Sequence, residues 1–499
     1  MTTARIALRL DPCAPPVRRR LFGSFVEHLG RGVYDGLYEP AHPRANSEGF
    51  REDVIDLVKE LGVSTLRYPG GNFVSGYRWE DGVGPRDQRP VRLDLAWQML
   101  ETNQVGLDEF ARFCALTGTE LMLAVNLATR GITEALDLLE YANHPSGTTL
   151  SDQRIANGSP EPHGIRMWCL GNEMDGEWQI GFMEPEEYGR LAARTASAMK
   201  KIDPTLELVA VGSSYSGMPR FGEWERIVLE KAYDYVDFIS CHSYYQEKDG
   251  DLGSFLASST DMDHFIDTVA ATIDHVKLSR RSEKTVQISF DEWNVWYQGA
   301  DPHPERELWT LGARGLEDVY SVADGVVVGS LLVTLLRHSD RVAAASMAQL
   351  VNVIAPIMTA PGGPAWRQTT FFPFATTSRM ASGVVLRPRV EVETYATAQH
   401  GNVPLVDAVA TWDEDAGSAS VFLVNRSVDE SVTVSIDLGD IPVTRIAEVQ
   451  SLWDDDVYAR NTLEHPERVR LRDDDDVVVH DGVVTITLHP VSWTAIGLA

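Results

Sequence analysis

Apolar and polar positions follow two different periods along the first two-thirds of the chain. Short apolar runs of strand length stand at Leu21–Val26, Val63–Tyr68, Leu121–Leu127, Ile165–Leu170, Leu206–Val211, Val236–Ser240, Val286–Phe290 and Val342–Leu350. Helical periods lie between them. In Ser47–Glu60, Ser47 is placed to cap, Phe50, Val54, Leu57, Val58 and Leu61 share one face, and Gly62 can end the turn. Thr133–Tyr141, Pro185–Ile202, Gly222–Ala232, Met262–Leu278 and Leu316–Arg337 also read as helices. Strand–helix alternation at this spacing predicts parallel strands joined by crossover helices. Eight such strands favour a closed (β/α)8 TIM barrel; an open doubly wound α/β sheet shares the local pattern and stays an alternative.

The last 120 or so residues change character. Alternating runs recur at Ser420–Val424, Val432–Ile436, Ile446–Leu452, Val483–Leu488 and Thr494–Leu498, separated by turn-type residues and without a long helical period. That predicts an all-β, jelly-roll-like sandwich. Ile6, Leu8 and Leu10 alternate as well, ahead of Pro12, Pro15 and Pro16, and fit a further strand of the same sandwich. The expected division is a barrel over 17–381 and a sandwich over 1–16 plus 382–499, with the boundary near Ala381–Gly383.

Composition narrows the function classes. The 499 residues carry 44 basic and 73 acidic side chains, a net charge of −29. Such a field repels phosphate backbones and anionic lipid, so nucleic acid and membrane surfaces are not the expected partners, and neutral ligands remain open. The apolar run Gly325–Leu336 is far short of the ~20 residues that span a bilayer. The N-terminus lacks a signal-peptide core, which makes a cytoplasmic protein the expectation. Cys13, Cys114, Cys169 and Cys241 form no Cys-x-x-Cys pair, and Cys169 and Cys241 read as small buried hydrophobes. The acidic runs Asp454–Asp456 and Asp473–Asp476 lack the spacing of a calcium loop and are expected as solvated loop tips.

Chemistry in a barrel gathers where strands end. The runs are followed by Glu27-His28, by Arg67-Tyr68-Pro69-Gly70-Gly71-Asn72, by Asn126, by Gly171-Asn172-Glu173, by His242-Ser243-Tyr244, by Asp291-Glu292-Trp293-Asn294, and by Gln349. Glu173 and Glu292 follow near-continuous apolar strands and are expected to point into the barrel mouth. Two carboxyl groups facing across a pocket are what glycosidic cleavage uses, one to protonate the leaving oxygen and one to attack or to activate water. A single such Glu is more often the partner of an Arg. The pair, with Asn172 beside one and Trp293, Trp296 and Tyr297 beside the other, favours catalysis. Aromatic rings stack on sugar faces but are equally core residues, Trp293 above all. The chain has no Gly-x-Ser-x-Gly, Gly-x-Gly-x-x-Gly, Walker A or His-Glu-x-x-His pattern. A metal held by His28, His242 and a carboxylate is the weaker alternative, since one His per strand end serves as easily in hydrogen bonding.

Four stretches carry a resemblance: Gly23-Ser24-Phe25-Val26-Glu27-His28, Arg67 to Asn72, Gly171-Asn172-Glu173, and Phe290-Asp291-Glu292-Trp293. With them the chain resembles glycoside hydrolase family 51, the α-L-arabinofuranosidases, over essentially its whole length. The Asn-Glu pair is shared by a wide superfamily of retaining glycosidases; the other stretches are more specific. The resemblance implies a retaining, exo-acting, cofactor-free enzyme that removes terminal arabinofuranose from arabinan, arabinoxylan and their oligosaccharides. It implies Glu173 as general acid/base and Glu292 as nucleophile. Glu27, Arg67, Asn72, Asn172, Tyr244 and Gln349 would line the sugar pocket, with His242 close to the nucleophile. Trp178 and Trp296 would shape the side of the leaving group. Family members are often hexameric, so the resemblance also implies a homo-oligomer. Two rivals are another glycosidase of the same superfamily and a sugar-binding protein without turnover.

Overall fold

The computed structural model describes residues 2–298, 305–473 and 477–499. The chain opens with β1 (Thr2–Ala7), then enters the barrel through β2 (Gly23–Phe25) and β3 (Thr65–Tyr68). A hairpin, β4 (Arg92–Asp94) and β5 (Met99–Glu101), interrupts before β6 (Glu120–Ala124), β7 (Met167–Cys169) and β8 (Glu207–Ala210). The barrel ends with β9 (Phe238–Tyr245), β10 (Gln287–Val295) and β11 (Val342–Met347). β2, β3 and β6 to β11 form a closed ring of parallel pairs, β11 returning to β2. Each barrel strand overlaps one of the predicted apolar runs, though β9 and β10 continue past theirs so that His242–Tyr244 and Asp291–Asn294 lie within the strands; closure excludes the open sheet. These runs are legible because a barrel strand is covered on both faces, by the interior layers and by the helices outside.

Two helices start well after the positions the sequence reading gives them. The helix expected from Ser47 starts at Glu52, because Asn46 Oδ1 accepts from the Glu48 and Phe50 amides and folds that stretch into a turn. The helix expected from Leu316 starts at Val322: Ser321 is its N-cap, its side chain accepting from the Asp324 amide, and Leu316 has φ +55°. Helices Leu107–Thr117, Thr149–Ala156 and Phe371–Met380 were not anticipated.

The C-terminal region forms a five-stranded and a six-stranded sheet. β1 lies in the five-stranded sheet, parallel to Val432–Asp437 and antiparallel to Arg389–Glu391. Ala4, Ile6 and Leu8 join Val421, Leu423, Val434, Ile486 and Ile496 in the core of these sheets. Helix Val322–Arg337 lies between barrel and sandwich, touching β10 on one side and the six-stranded sheet on the other. Its all-round apolar sequence follows from that double cover. A Cβ at Gly329 would stand 2.2 Å from the Trp493 ring, so only glycine permits this approach. Among the described residues no helix is long and apolar enough to cross a membrane.

In the first acidic run Asp455 and Asp456 are exposed, as expected of a loop tip, whereas Asp454 departs from that expectation. It is nearly buried and accepts from Arg468 at 2.7 and 3.0 Å and from Arg472 at 3.1 Å. Asp473 is exposed, and the rest of that second run, 474–476, lies outside the described residues.

Candidate active site

The carboxyl groups of the site are aimed by two backbone irregularities. On β10, Ser289 pairs with Ser240 and Glu292 with His242, three residues against two on β9; toward β11 the same stretch is again one residue long. This is a β-bulge, which re-aims side chains by breaking the alternation of faces. Phe290 points outward, its ring 5.7 Å from that of Phe265. Both Asp291 and Glu292 then reach toward Arg67. At the end of β7, Glu173 has φ +43°, a left-handed conformation costing an L-residue about 1–2 kcal/mol.

Glu292 is buried. Its Oε1 accepts from Arg67 Nη1 at 2.9 Å and its Oε2 from the Tyr244 hydroxyl at 2.6 Å. Glu173, 9% exposed, accepts from Trp178 Nε1 at 2.7 Å through Oε2, and its Oε1 lies 3.0 Å from His242 Nδ1. The same nitrogen is 3.6 Å from Glu292 Oε2. One carboxylate oxygen of Glu173, one of Glu292 and one His242 nitrogen all lie within 4.8 Å of one another. Burial opposes the charge on His242, but Glu292 and Glu173 outweigh it and raise its pKa. Burial, reinforced by Glu292, holds the Tyr244 phenol far above its usual value. Tyr244 therefore stays protonated and serves as a donor.

A second cluster forms the floor. Glu27 accepts from the Phe73 amide at 2.8 Å, from Trp97 Nε1 at 2.7 Å and from Gln349 Nε2 at 3.2 Å. Burial raises its pKa well above the usual carboxyl range against these donors. Gly71 has φ +72°, and a Cβ there would stand 2.2 Å from Glu27 Oε2, so glycine is what lets the loop close over this carboxyl. Asn172 accepts from Arg67 Nη2 at 2.6 Å and donates to Asn72 Oδ1 at 3.3 Å, linking the two clusters. Asp94 accepts the Ala96 and Trp97 amides at 3.1 and 2.9 Å, which shapes the β4–β5 turn that delivers Trp97.

The structure thus gathers Glu27, Arg67, Asn72, Asn172, Glu173, His242, Tyr244, Glu292 and Gln349 in the barrel mouth. Trp296 stands beside them, edge-on to Tyr244 with ring centroids 5.1 Å apart. Trp178 is 50% exposed at the rim. Trp293 is fully buried and belongs to the core. Asn126 is elsewhere engaged, donating to the Tyr77 carbonyl and Thr129. His28 lies between Glu101 at 2.7 Å and the Tyr68 hydroxyl at 2.8 Å, not with His242, so the pairing considered for a metal does not form. Trp97 was missed by the sequence reading, as was Gln179, which donates to Asn72. Both come from loops, and no periodic signal marks them.

A family profile described as Alpha-L-arabinofuranosidase 1 domain matches residues 57–267, and one described as Alpha-L-arabinofuranosidase C-terminal domain matches 291–492. A Bifidobacterium longum protein named exo-alpha-(1->6)-L-arabinofuranosidase is 57% identical over 505 residues, spanning 99% of this chain and 97% of its own. A Streptomyces lividans protein named intracellular exo-alpha-(1->5)-L-arabinofuranosidase is 55% identical over 502 residues, spanning 100% of this chain and 76% of its own. The solved structure of a family 51 alpha-L-arabinofuranosidase from Bifidobacterium longum superposes with a TM-score of 0.96 at 50% identity, over 100% of both chains. An arabinose complex of the alpha-L-arabinofuranosidase from Thermotoga maritima gives 0.88 at 35% identity, over 100% of this chain and 99% of that one.

Proposed function

Since the chain belongs to the α-L-arabinofuranosidases of glycoside hydrolase family 51, we propose that it releases terminal, non-reducing α-L-arabinofuranosyl residues with retention of configuration. The observation that carries this reading is the approach of Glu173 and Glu292 to within 4.8 Å, oxygen to oxygen. Retaining glycosidases hold their carboxyl groups about 5–5.5 Å apart, while inverting ones need about 6.5–9.5 Å to admit a water. Glu292, held between Arg67 and Tyr244, attacks the anomeric carbon and forms a glycosyl-enzyme ester. Glu173 protonates the departing oxygen, then takes a proton from the water that cleaves the ester. Asn172 is placed to bond the sugar 2-OH, a contact that strengthens as positive charge develops on the ring. Glu27, Asn72 and Gln349 hold the furanose, and Trp178 and Trp296 border the leaving group. The relatives named for α-(1→5) and α-(1→6) linkages are similarly close, which supports exo-action on both bond types. The substrates we propose are arabinan, arabinoxylan and the oligosaccharides derived from them. Relatives named intracellular support action inside the cell on imported oligosaccharides. The working form we propose is a homo-oligomer, which sedimentation equilibrium tests directly.

NMR of the first product formed in methanol tests the mechanism, since an inverted anomer excludes Glu292 as nucleophile. A panel of arabino-oligosaccharides and aryl pyranosides tests the substrate. Faster turnover of any pyranoside would overturn the substrate assignment.

A further inference from the structure

We propose that Asp291 is a positioning residue for the reaction, acting through Arg67 on Glu292. Asp291 is 1% exposed and is brought inward by the β10 bulge that also aims Glu292. Its Oδ1 accepts from Ser289 Oγ. Its Oδ2 faces Cys169 Sγ at 3.8 Å and Arg67 Nε at 3.9 Å.

Arg67 is the hub of this arrangement. Nη1 donates to Glu292 Oε1 and Nη2 to Asn172 Oδ1, whereas Nε has no hydrogen-bond partner among the described residues. Asp291 is the charge that faces this Nε. A guanidinium is planar, so fixing its Nε edge fixes where both Nη atoms point. Asp291 thereby sets the directions from which the nucleophile and the 2-OH ligand are held.

Charge supplies a second effect. A buried carboxylate is costly unless paired, and an Asn of the same shape could accept from Ser289 at lower cost. The groups facing Asp291 are Arg67 from β3, Cys169 from β7, Cys241 and His242 from β9, Tyr188 from its helix and Glu292 on its own strand. Burial pushes both thiols and the phenol up, so they carry no charge near neutral pH. Burial raises the pKa of Asp291 against the pull of Arg67 and His242; in its ionised form Asp291 shares Arg67 with Glu292. With Asp291 neutral, Arg67 would bind Glu292 alone, drawing electron density from the oxygen that must attack.

The inference rests on the reading of Glu292 as nucleophile. The test is Asp291→Asn, assayed with an activated aryl arabinofuranoside across pH and checked by thermal melting. The expected result is kcat lower by about 10–100-fold, the scale of a misaligned reacting group, with KM within about threefold. The acid limb of the kcat/KM profile should move to lower pH, because one negative charge fewer opposes ionisation in the cluster. A general packing defect lowers the amount of active enzyme and leaves that limb in place. Ser289→Ala, which removes only the hydrogen bond to Asp291 and no charge, should give a smaller loss of kcat and stands in if Asp291→Asn does not fold. A folded Asp291→Asn enzyme with wild-type kcat and acid limb overturns the proposal, as does wild-type kcat in Ser289→Ala when that variant stands in. Glu292→Ala separates the two readings: activity there defeats the nucleophile assignment itself, whereas an inactive Glu292→Ala beside an unaffected Asp291→Asn defeats only the positioning role.

Discussion

Replacing Glu173 by Ala separates the two glutamates by leaving group. The side chain removed holds two partners, Trp178 Nε1 and His242 Nδ1. Trp178 is half exposed and regains water; His242 keeps Glu292 at 3.6 Å. Each lost hydrogen bond is worth about 0.5–1.5 kcal/mol, so the melting temperature should fall by a few degrees at most. Chemistry should change much more. Natural arabinosides leave as poor alkoxides, and losing general acid catalysis costs about 10²–10⁴-fold, or about 2.7–5.4 kcal/mol of barrier. A dinitrophenyl arabinofuranoside leaves without a proton, so its first step should survive and show a burst as the ester on Glu292 accumulates. Azide, small enough for the space vacated by the carboxyl, should restore turnover and yield a glycosyl azide of retained configuration. Burst and steady-state kinetics on both substrates, with and without azide, provide the assay. Equal losses on both substrates with no azide effect would refute the role of Glu173, and the proton donor would then be sought at Glu27, Glu177 or His242.

Three further outcomes follow from the same geometry. Trp97→Phe should remove one donor to buried Glu27 and lower kcat/KM by about two- to tenfold, given ~0.5–1.5 kcal/mol for a hydrogen bond to an uncharged group; unchanged kinetics would remove Glu27 from the sugar pocket. Gly71→Ala sets a methyl against that carboxyl at a left-handed position and should lower both kcat/KM and, by about 1–3 kcal/mol, stability, read by urea unfolding. His242→Asn tests the raised pKa of His242: a protonated form favoured by folding adds stability that is full below the unfolded pKa of about 6.5 and is lost as pH rises through the folded value. The wild type should therefore exceed the variant in melting temperature most at acid pH, with the gap closing upward, and a gap that widens with pH would contradict it.

What the sequence showed and what it hid divide along physical lines. The barrel strands were legible because burial on both faces leaves continuous apolar runs. Strand-end positions such as Glu173, His242 and Glu292 were legible because polar groups directly after such runs are unusual. The start of the helix at Glu52 was hidden by Asn46, whose side chain wins the nearby amides for a turn. The helix Leu107–Thr117 has an apolar face at Leu107, Phe110, Phe113 and Cys114 that was available to read. Trp97 gave no sign: its hairpin carries exposed Val91, Leu93 and Leu95, and only the tertiary fold turns the indole toward Glu27. The bulge on β10 was hidden too, since the run Ile288–Phe290 continues into Asp291-Glu292 without a glycine or proline to mark the extra residue.

Helix Val322–Arg337 has a consequence for how the molecule comes apart. It belongs to the one hydrophobic core that runs from the barrel to the outer face of the six-stranded sheet, so barrel and sandwich cannot part without laying that core bare. Opening the interface would expose Trp493 and the helix valines and leucines together; at ~25 cal/mol per Å2, a few hundred Å2 of such surface costs several kcal/mol. The barrel and the sandwich are thus coupled as one cooperative unit: calorimetry should show a single transition, and hydrogen exchange should protect this helix to the level of global unfolding. A chain that lost its last strands in synthesis or by proteolysis would lose the lid over the helix and, with it, the rigidity of the rim that holds Glu292.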